Sequence, residues 1–517
     1  MRRVSRQKGA AGGEVSAERP RSHSLRGVNF EAVRNIEGHP VERIVTTLPQ
    51  CDQYLLRMRK NFAQKVCRHR DRIWACVVGV VVAAVYIVYA AWQWSQFTVK
   101  SWDLSIFAQL LDHYARLQPP IVNVKGDGYN LLGDHFHPLL ALLAPVYAIA
   151  PHAFTLLVVQ ALCFAVAAAV VAHTVSRSLG TVAGGLLLGL AFGFSWGLQY
   201  AAEAQFHEIA LAIPLLTCCL SALLKGRDGS AALWAAPLVF VKEDLGLTVA
   251  LIGLLVAYRS RKPLGIWLCV WGISWFAIAI FLVLPFLNPE GSWAYASTAS
   301  PLTLLADPGS LFHPSKGLTL TLILVISGGL VVRSPIALLL LPTLAWRFLS
   351  SNHGYWGPSW HYSAVLMPIV FLALVDALSR GPTHQWVWMR TYYRHGATLA
   401  VIVAAVMLPS LPLWSLLAPG AWNAPERARA AVAVLDAIPH GSTVETDIGL
   451  MSYLVDDHDV YWLGNANPAQ ECLLIDRIAG GTPPSWGDAL EVAARLHPDT
   501  SYRIVTQQGG FELACRE

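Results

Sequence analysis

The sequence predicts a mainly α, polytopic transmembrane bundle of about eleven crossings, with a small extracytoplasmic α/β domain at its C-terminal end. Three observations carry this. Of the 517 residues, 55% are hydrophobic and only 14% charged, against roughly 25% charge in ordinary soluble domains. Apolar runs of spanning length recur between residues 73 and 416. The last hundred residues lose that pattern and alternate short helix-like and strand-like stretches. A soluble enzyme, a disordered protein and a small disulfide scaffold are excluded. The net charge of +5 is no nucleic-acid footprint. Of 38 basic residues, 16 lie in the first 72 positions, where they act as an orientation signal.

Residues 1–72 are polar, basic and aperiodic, and are expected to form a disordered cytoplasmic tail. The first spanning helix is 73–94, running outward from its Arg-rich flank. A long outer loop follows over 95–137. It opens with WDLSIFAQLLDHYARL (102–117), whose apolar residues recur at helical spacing along the membrane surface. Residues 138–150 are apolar but short, which suits a juxtamembrane or re-entrant piece. Further runs are 153–174, 181–198, 207–224, 231–258, 264–287, 317–332, 335–349, 362–379 and 396–416. Reading 231–258 as a hairpin of two short helices, with Lys242-Glu243-Asp244 at its tip, puts the basic residues of five intervening loops on the inner side. The domains are then 1–72, a membrane domain over 73–417, and an extracytoplasmic α/β domain over 418–517. The N-terminus is cytoplasmic and the C-terminus outside a bacterial plasma membrane. Strands are expected at Thr443–Thr446, Val460–Leu463, Cys472–Ile475 and Tyr502–Thr506. Of nine cysteines, Cys472 and Cys515 lie in this polar segment; sequence leaves open whether they pair.

Under this topology the unusual polar residues share one face. Asp103 opens the surface helix, and Asp134, His135 and His137 lie in GDHFHP. Glu203, His207 and Glu208 lie in AEAQFHE. Lys242, Glu243 and Asp244 tip the hairpin, Arg347 is near an outer helix end, and Trp360, His361 and Tyr362 follow it. Charges at membrane depth are costly, so they face a cavity or pair with one another. Each also has a plain reading. Asp103 suits a helix cap, the His and acid pairs suit local ion pairs, Arg347 suits snorkelling to head groups, and the aromatics suit an interfacial belt.

At these residues a resemblance becomes visible. WDLSIFAQ, GDHFHPLLALLAPVYA, FHEIALAIPLL, VKEDLGL and WHYSAVLMPIV resemble, in order and spacing, the bacterial polytopic membrane protein family known as domain of unknown function 2079. More distantly, the layout is similar to GT-C type glycosyltransferases, which use a polyprenyl-phosphate sugar donor and carry acidic residues in their first outer loops. The paired acids common in such loops are absent around Asp103, whose neighbours are Trp102 and Leu104. Lys242 resembles a lysine at a similar hairpin in the lipid-A aminoarabinose transferase group.

That resemblance implies inverting transfer of a sugar from a polyprenyl-phosphate donor to a cell-envelope glycan or lipid acceptor on the outer face. It implies Asp103 as base, with Asp134 in reserve. Lys242 and Arg347 would bind the donor phosphate. Glu203, His207, Glu208, His135, His137, Glu243, Asp244, Trp360, His361 and Tyr362 would hold substrate. The lipid bilayer is a partner and nucleic acid is not. No cofactor is required. A divalent metal held by Asp134, His135, His137 and His207 would instead make a metal-dependent hydrolase. The same charges would also suit a transporter pathway or an envelope assembly factor.

Overall fold

A computed structural model of the chain describes residues 31–34, 40–43, 49–295 and 308–517. The chain divides into one unit over residues 1–68 and another over 69–517. In the first unit, strands β1 (Glu31–Arg34) and β2 (Pro40–Arg43) pair antiparallel. Helix α1 runs Pro49–Ser95. The segment 1–72, expected to be disordered, therefore holds a hairpin and a helix start. Its other residues lie outside the described ones.

The second unit is mainly helical. Among the described residues, six helices are long and apolar enough to cross a membrane: Arg70–Ser95, Ala153–Leu179, Val182–Glu203, Pro263–Leu287, His361–Arg380 and Val387–Ser410. Shorter apolar helices are Pro138–Ile149, Glu208–Leu224, Leu245–Ser260, Pro314–Ile326 and Pro335–Leu349. Six candidate crossings thus stand where about eleven were expected. At a rise of about 1.5 Å per residue, a helix of fewer than about 17 residues falls short of the hydrocarbon core. Most expected runs coincide with one of these helices. The run from 181 is broken, because the helix Val182–Gly193 ends at Phe194 and a second, Trp196–Glu203, begins after Ser195.

Two close approaches of backbone fix the helices that carry the polar residues. The helices Leu245–Ser260 and Pro263–Ile278 pack glycine to glycine. A Cβ at Gly253 or Gly265 would meet the other helix's backbone at 2.4 or 2.3 Å, and one at Gly246 or Gly272 at 2.7 or 2.4 Å. This contact anchors the Lys242–Asp244 turn just before Leu245. The glycine of GDHFHP is the second case. A Cβ on Gly133 would lie 2.6 Å from the backbone of Leu287 and Asn288, and Asn288 Nδ2 donates to Gly133 O at 3.0 Å.

The C-terminal domain contributes β3 Thr443–Thr446, β4 Asp459–Trp462, β5 Cys472–Asp476, β6 Tyr502–Gln508 and β7 Phe511–Arg516, which form one sheet in the order β4-β3-β5-β7-β6. β3 pairs parallel with β4 and β5, while β7 pairs antiparallel with β5 and β6. Cys472 faces Cys515 across β5 and β7, and the two form a disulfide. The expected strands are present, and β7 is an addition. The domain packs on the loop after the first span. Gln109, buried on helix α2 (Trp102–Ala115), donates to Val460 O at 2.9 Å and accepts from Val124 N at 3.1 Å. Phe97 stacks on Tyr453, and Trp102 meets Trp462 edge-on. Buried residues of the helices and of β3 to β5 belong to one continuous core.

Candidate functional site

Segments far apart in sequence meet around one cavity of about 690 Å³. The start of α2 contributes Asp103, and GDHFHP contributes Asp134, His135 and His137. His207 and Glu208 come from the turn after Trp196–Glu203, and Lys242 to Asp244 from the hairpin tip. Trp360, His361 and Tyr362 complete the polar side. Leu247, Phe276, Ile280, Pro342, Ala345 and Trp346 add apolar surface to the lining. Twelve of the fourteen residues expected in a site therefore line this one cavity.

Asp103 does not cap α2 from the cap position, which belongs to Ser101 and lacks a side-chain cap bond. Its Oδ2 lies 2.8 Å from Nε2 of the buried His207. That contact has ion-pair distance without hydrogen-bond alignment, so the ring nitrogen keeps bonding capacity. His207 Nδ1 is 3.1 Å from Gln205 O, a pure acceptor, and Nε2 faces the carboxylate, so both ring nitrogens point at acceptor oxygens. The His361 ring lies against His207, with centroids 3.5 Å apart.

Three further pairs surround the cavity. Lys242 Nζ donates to Glu208 Oε1 at 2.7 Å. His135 Nδ1 is 2.7 Å from Glu243 Oε1, while Glu243 Oε2 accepts from Phe136 N at 3.0 Å. Lys125 Nζ is 3.2 Å from Asp134 Oδ2, and Tyr295 donates to Asp134 Oδ1 at 3.4 Å while stacking on His135. These pairs set the ionisation. Burial pushes Asp134 up, but His135 and Lys125 outweigh it and hold the carboxyl below the ordinary range. Burial and Lys242 oppose a charge on His135, and Glu243 overrides them and raises it. Burial likewise opposes the Glu243 charge, yet His135 and Lys242 bring it down to about 2. At other groups burial outweighs the neighbouring charges. Burial takes His137 down to about 4 and Asp244 up to about 6.

Buried polar atoms without a protein hydrogen bond also collect here: His137 Nδ1, His207 Nε2, Asp244 Oδ1, Trp293 Nε1, Trp346 Nε1 and His361 Nδ1. Folded proteins leave few such atoms, and each costs about 1–3 kcal/mol. Five on one cavity, besides His207 Nε2 with its Asp103 contact, mark a place where a polar ligand would supply the missing partners.

Two expected residues are not brought to this wall. Arg347, expected to bind phosphate, is fully buried. It donates to Tyr355 O at 2.7 Å, Gly357 O at 2.6 Å and Ser363 Oγ at 3.2 Å. Its planar fork holds the chain leading to His361 and does not reach the cavity. Glu203 instead lies 3.6 Å from Lys100. Lys125, Trp293 and Tyr295 line the cavity and were missed. They sit in irregular loops, and their only signal in the sequence was their position beside GDHFHP and in the following outer segment. Among the described residues no group of three or more His, Cys, Asp or Glu is arranged to hold a metal ion, so the set Asp134, His135, His137 and His207 is not gathered as one ligand shell.

A family model described as "Predicted membrane protein (DUF2079)" matches residues 93–513, and the chain belongs to that family. No curated protein matches the chain.

Proposed function

We propose that this member of the DUF2079 family of predicted membrane proteins is a glycosyltransferase of the GT-C kind, moving a sugar from a polyprenyl-phosphate donor to a cell-envelope acceptor with inversion. The observation that carries this reading is the cavity itself. Its lining combines Asp103 paired with His207, Lys242 and orphaned buried polar atoms with apolar side chains such as Leu247, Phe276 and Ile280. A lipid-linked sugar likewise combines a polar head with an apolar tail.

In this reading Asp103 takes the proton of the acceptor hydroxyl. The acceptor oxygen bonds to the anomeric carbon from the face opposite the phosphate. The carbon–oxygen bond to phosphate breaks, its electron pair stays on the phosphate, and polyprenyl phosphate departs. His207 holds the Asp103 carboxylate in place. Lys242 faces the developing phosphate charge, since Glu208 takes only one of its three N–H bonds. Arg347 has no part in phosphate binding. An odd number of crossings, with the N-terminus cytoplasmic and the C-terminal domain outside the plasma membrane, belongs to the same proposal. The Cys472–Cys515 disulfide supports it, because disulfides persist in oxidising compartments.

The test is binding of polyprenyl monophosphate to the purified protein in nanodiscs. Lys242→Ala is expected to weaken apparent affinity about tenfold or more, the loss of one charge-assisted contact. Unchanged affinity in a folded Lys242→Ala protein would contradict the assignment.

A further inference from the structure

A second cavity, of about 350 Å³, adjoins the first at Asp103. Lys100, Trp102, Asp103, Ala204 and Trp360 line it from the helical part, and Ile448 and Trp462 from the C-terminal domain. Trp102, Asp103 and Trp360 line both cavities, so a single carboxylate is reachable from two compartments. We propose that this second cavity is the acceptor subsite, and that it takes a pyranose ring of a glycan, stacked among Trp102, Trp360 and Trp462 with a hydroxyl turned to Asp103. The proposal rests on the transferase reading for its role and on the cavity alone for its ligand class.

Three independent features support it. The first is composition. Three of the seven residues lining this space are tryptophans, and sugar rings present C–H faces that seat on aromatic planes while their hydroxyls reach polar neighbours. Trp102 and Trp462 stand edge to face, 4.8 Å between centroids, so their ring planes are steeply inclined to each other. Lys100 lies 4.7 Å over the Trp360 ring and 3.6 Å from Glu203, placing a cation and a carboxylate beside the aromatic planes.

The second is strain. Six non-glycine residues among those described have positive φ; one of them, Trp360 at 66°, lines this cavity, and two more, Ser101 at 64° and Gln205 at 68°, are chain neighbours of lining residues. Ser101 immediately precedes Trp102 and Asp103, and Gln205 immediately follows Ala204. A bulky residue such as tryptophan rarely adopts this conformation. Surrounding bonds hold the geometry. Gln205 Oε1 accepts from Lys100 N at 2.9 Å, and Ser101 O accepts from Ser452 Oγ at 3.0 Å.

The third is assembly. Without Ile448 and Trp462 the cavity loses a wall, so the C-terminal domain completes it. That assigns a reason for fusing a small α/β domain to a membrane bundle. In the completed reaction the glycan hydroxyl gives its proton to Asp103, and its oxygen bonds to the anomeric carbon presented in the first cavity. Polyprenyl phosphate leaves with the bonding pair, and the lengthened glycan remains among the tryptophans.

The test uses the full chain in nanodiscs and a panel of methyl pyranosides and short oligosaccharides, followed by saturation-transfer NMR. Trp462→Ala and, separately, Trp360→Ala are expected to weaken the best-bound glycoside about tenfold or more; Trp462→Ala, at a residue that lines the second cavity and not the first, is expected to leave polyprenyl monophosphate affinity unchanged. Trp462→Phe, which keeps an aromatic plane, is expected to recover most of the binding. If no panel member binds the wild-type chain, or if both alanine variants bind as well as wild type, the subsite is refuted. If glycosides bind and depend on the tryptophans while polyprenyl monophosphate does not bind, the carbohydrate site stands and the transferase reading fails.

Discussion

The Glu208–Lys242 pair gives the sharpest energetic prediction. Glu208 is 2% exposed and its Oε1 sits 2.7 Å from Lys242 Nζ. Removing one member of such a pair leaves the other charge buried and uncompensated, which costs about 3–5 kcal/mol. Glu208→Gln and Lys242→Met should each be destabilised by that amount. The double variant replaces both charges and should recover much of the loss, giving a coupling energy of about 2 kcal/mol or more. At about 2.1 cal/mol/K per residue, a unit running from residue 69 to 517 has an unfolding entropy near 0.9 kcal/mol/K, so 1 kcal/mol moves Tm by about 1 °C. The single variants should therefore melt about 3–5 °C lower in a thermal-shift assay in detergent, with the double variant nearer to wild type. Single effects below about 1 °C, or a double variant equal to the sum of the singles, would refute the idea that the charges are desolvated and coupled.

The remaining predictions concern pH and the buried arginine. His137, held at about 4 by burial against about 6.5 unfolded, contributes stability that is full above pH ~6.5 and is lost as pH falls through ~4; the span is worth about 3 kcal/mol. Asp244, raised to about 6 against about 3.9 unfolded, has the opposite sign. Its contribution is full below pH ~3.9 and is lost as pH rises through ~6, again about 3 kcal/mol. His137→Asn should thus gain stability relative to wild type on going from pH ~7 to ~4.5, and Asp244→Asn should lose it. Identical Tm differences from wild type at the two pH values would contradict both assignments. Arg347→Ala should melt about 3 °C lower, since it strips donors from two carbonyls and Ser363. The folded fraction should keep its affinity for polyprenyl monophosphate, whereas lost affinity at unchanged Tm would return Arg347 to the phosphate site.

Much of the bundle was legible because hydrophobic runs and their period follow from burial alone. The faults have local causes. The break at Phe194 and Ser195 falls inside an apolar run, and hydropathy is blind to it. β7 reads FELACR, a mixed stretch that becomes a strand only by pairing with β5 and β6. Most residues of the cavity wall could be named beforehand, because charged side chains in apolar surroundings stand out. Their pairing could not, since it depends on which loops meet. Asp103 finds His207, and Glu243 finds His135, across long stretches of chain. Arg347 shows the reverse error. A lone arginine near a helix end fits snorkelling or phosphate binding equally well, and its real partners are mostly backbone carbonyls of the segment that follows. Lys125 and Tyr295 carry ordinary loop chemistry in sequence and become notable only where they meet Asp134.

Asp103 is where the two cavities meet, and its ionisation carries the central claim. The most direct measurement is release of polyprenyl phosphate from radiolabelled lipid-linked sugars, in membranes that supply the envelope acceptors, comparing wild type with Asp103→Asn. The substitution keeps the volume and removes the charge. The account predicts release with wild type and none above background with Asp103→Asn, the variant being inserted and melting within about 2 °C of wild type. Equal release from the two proteins would contradict it.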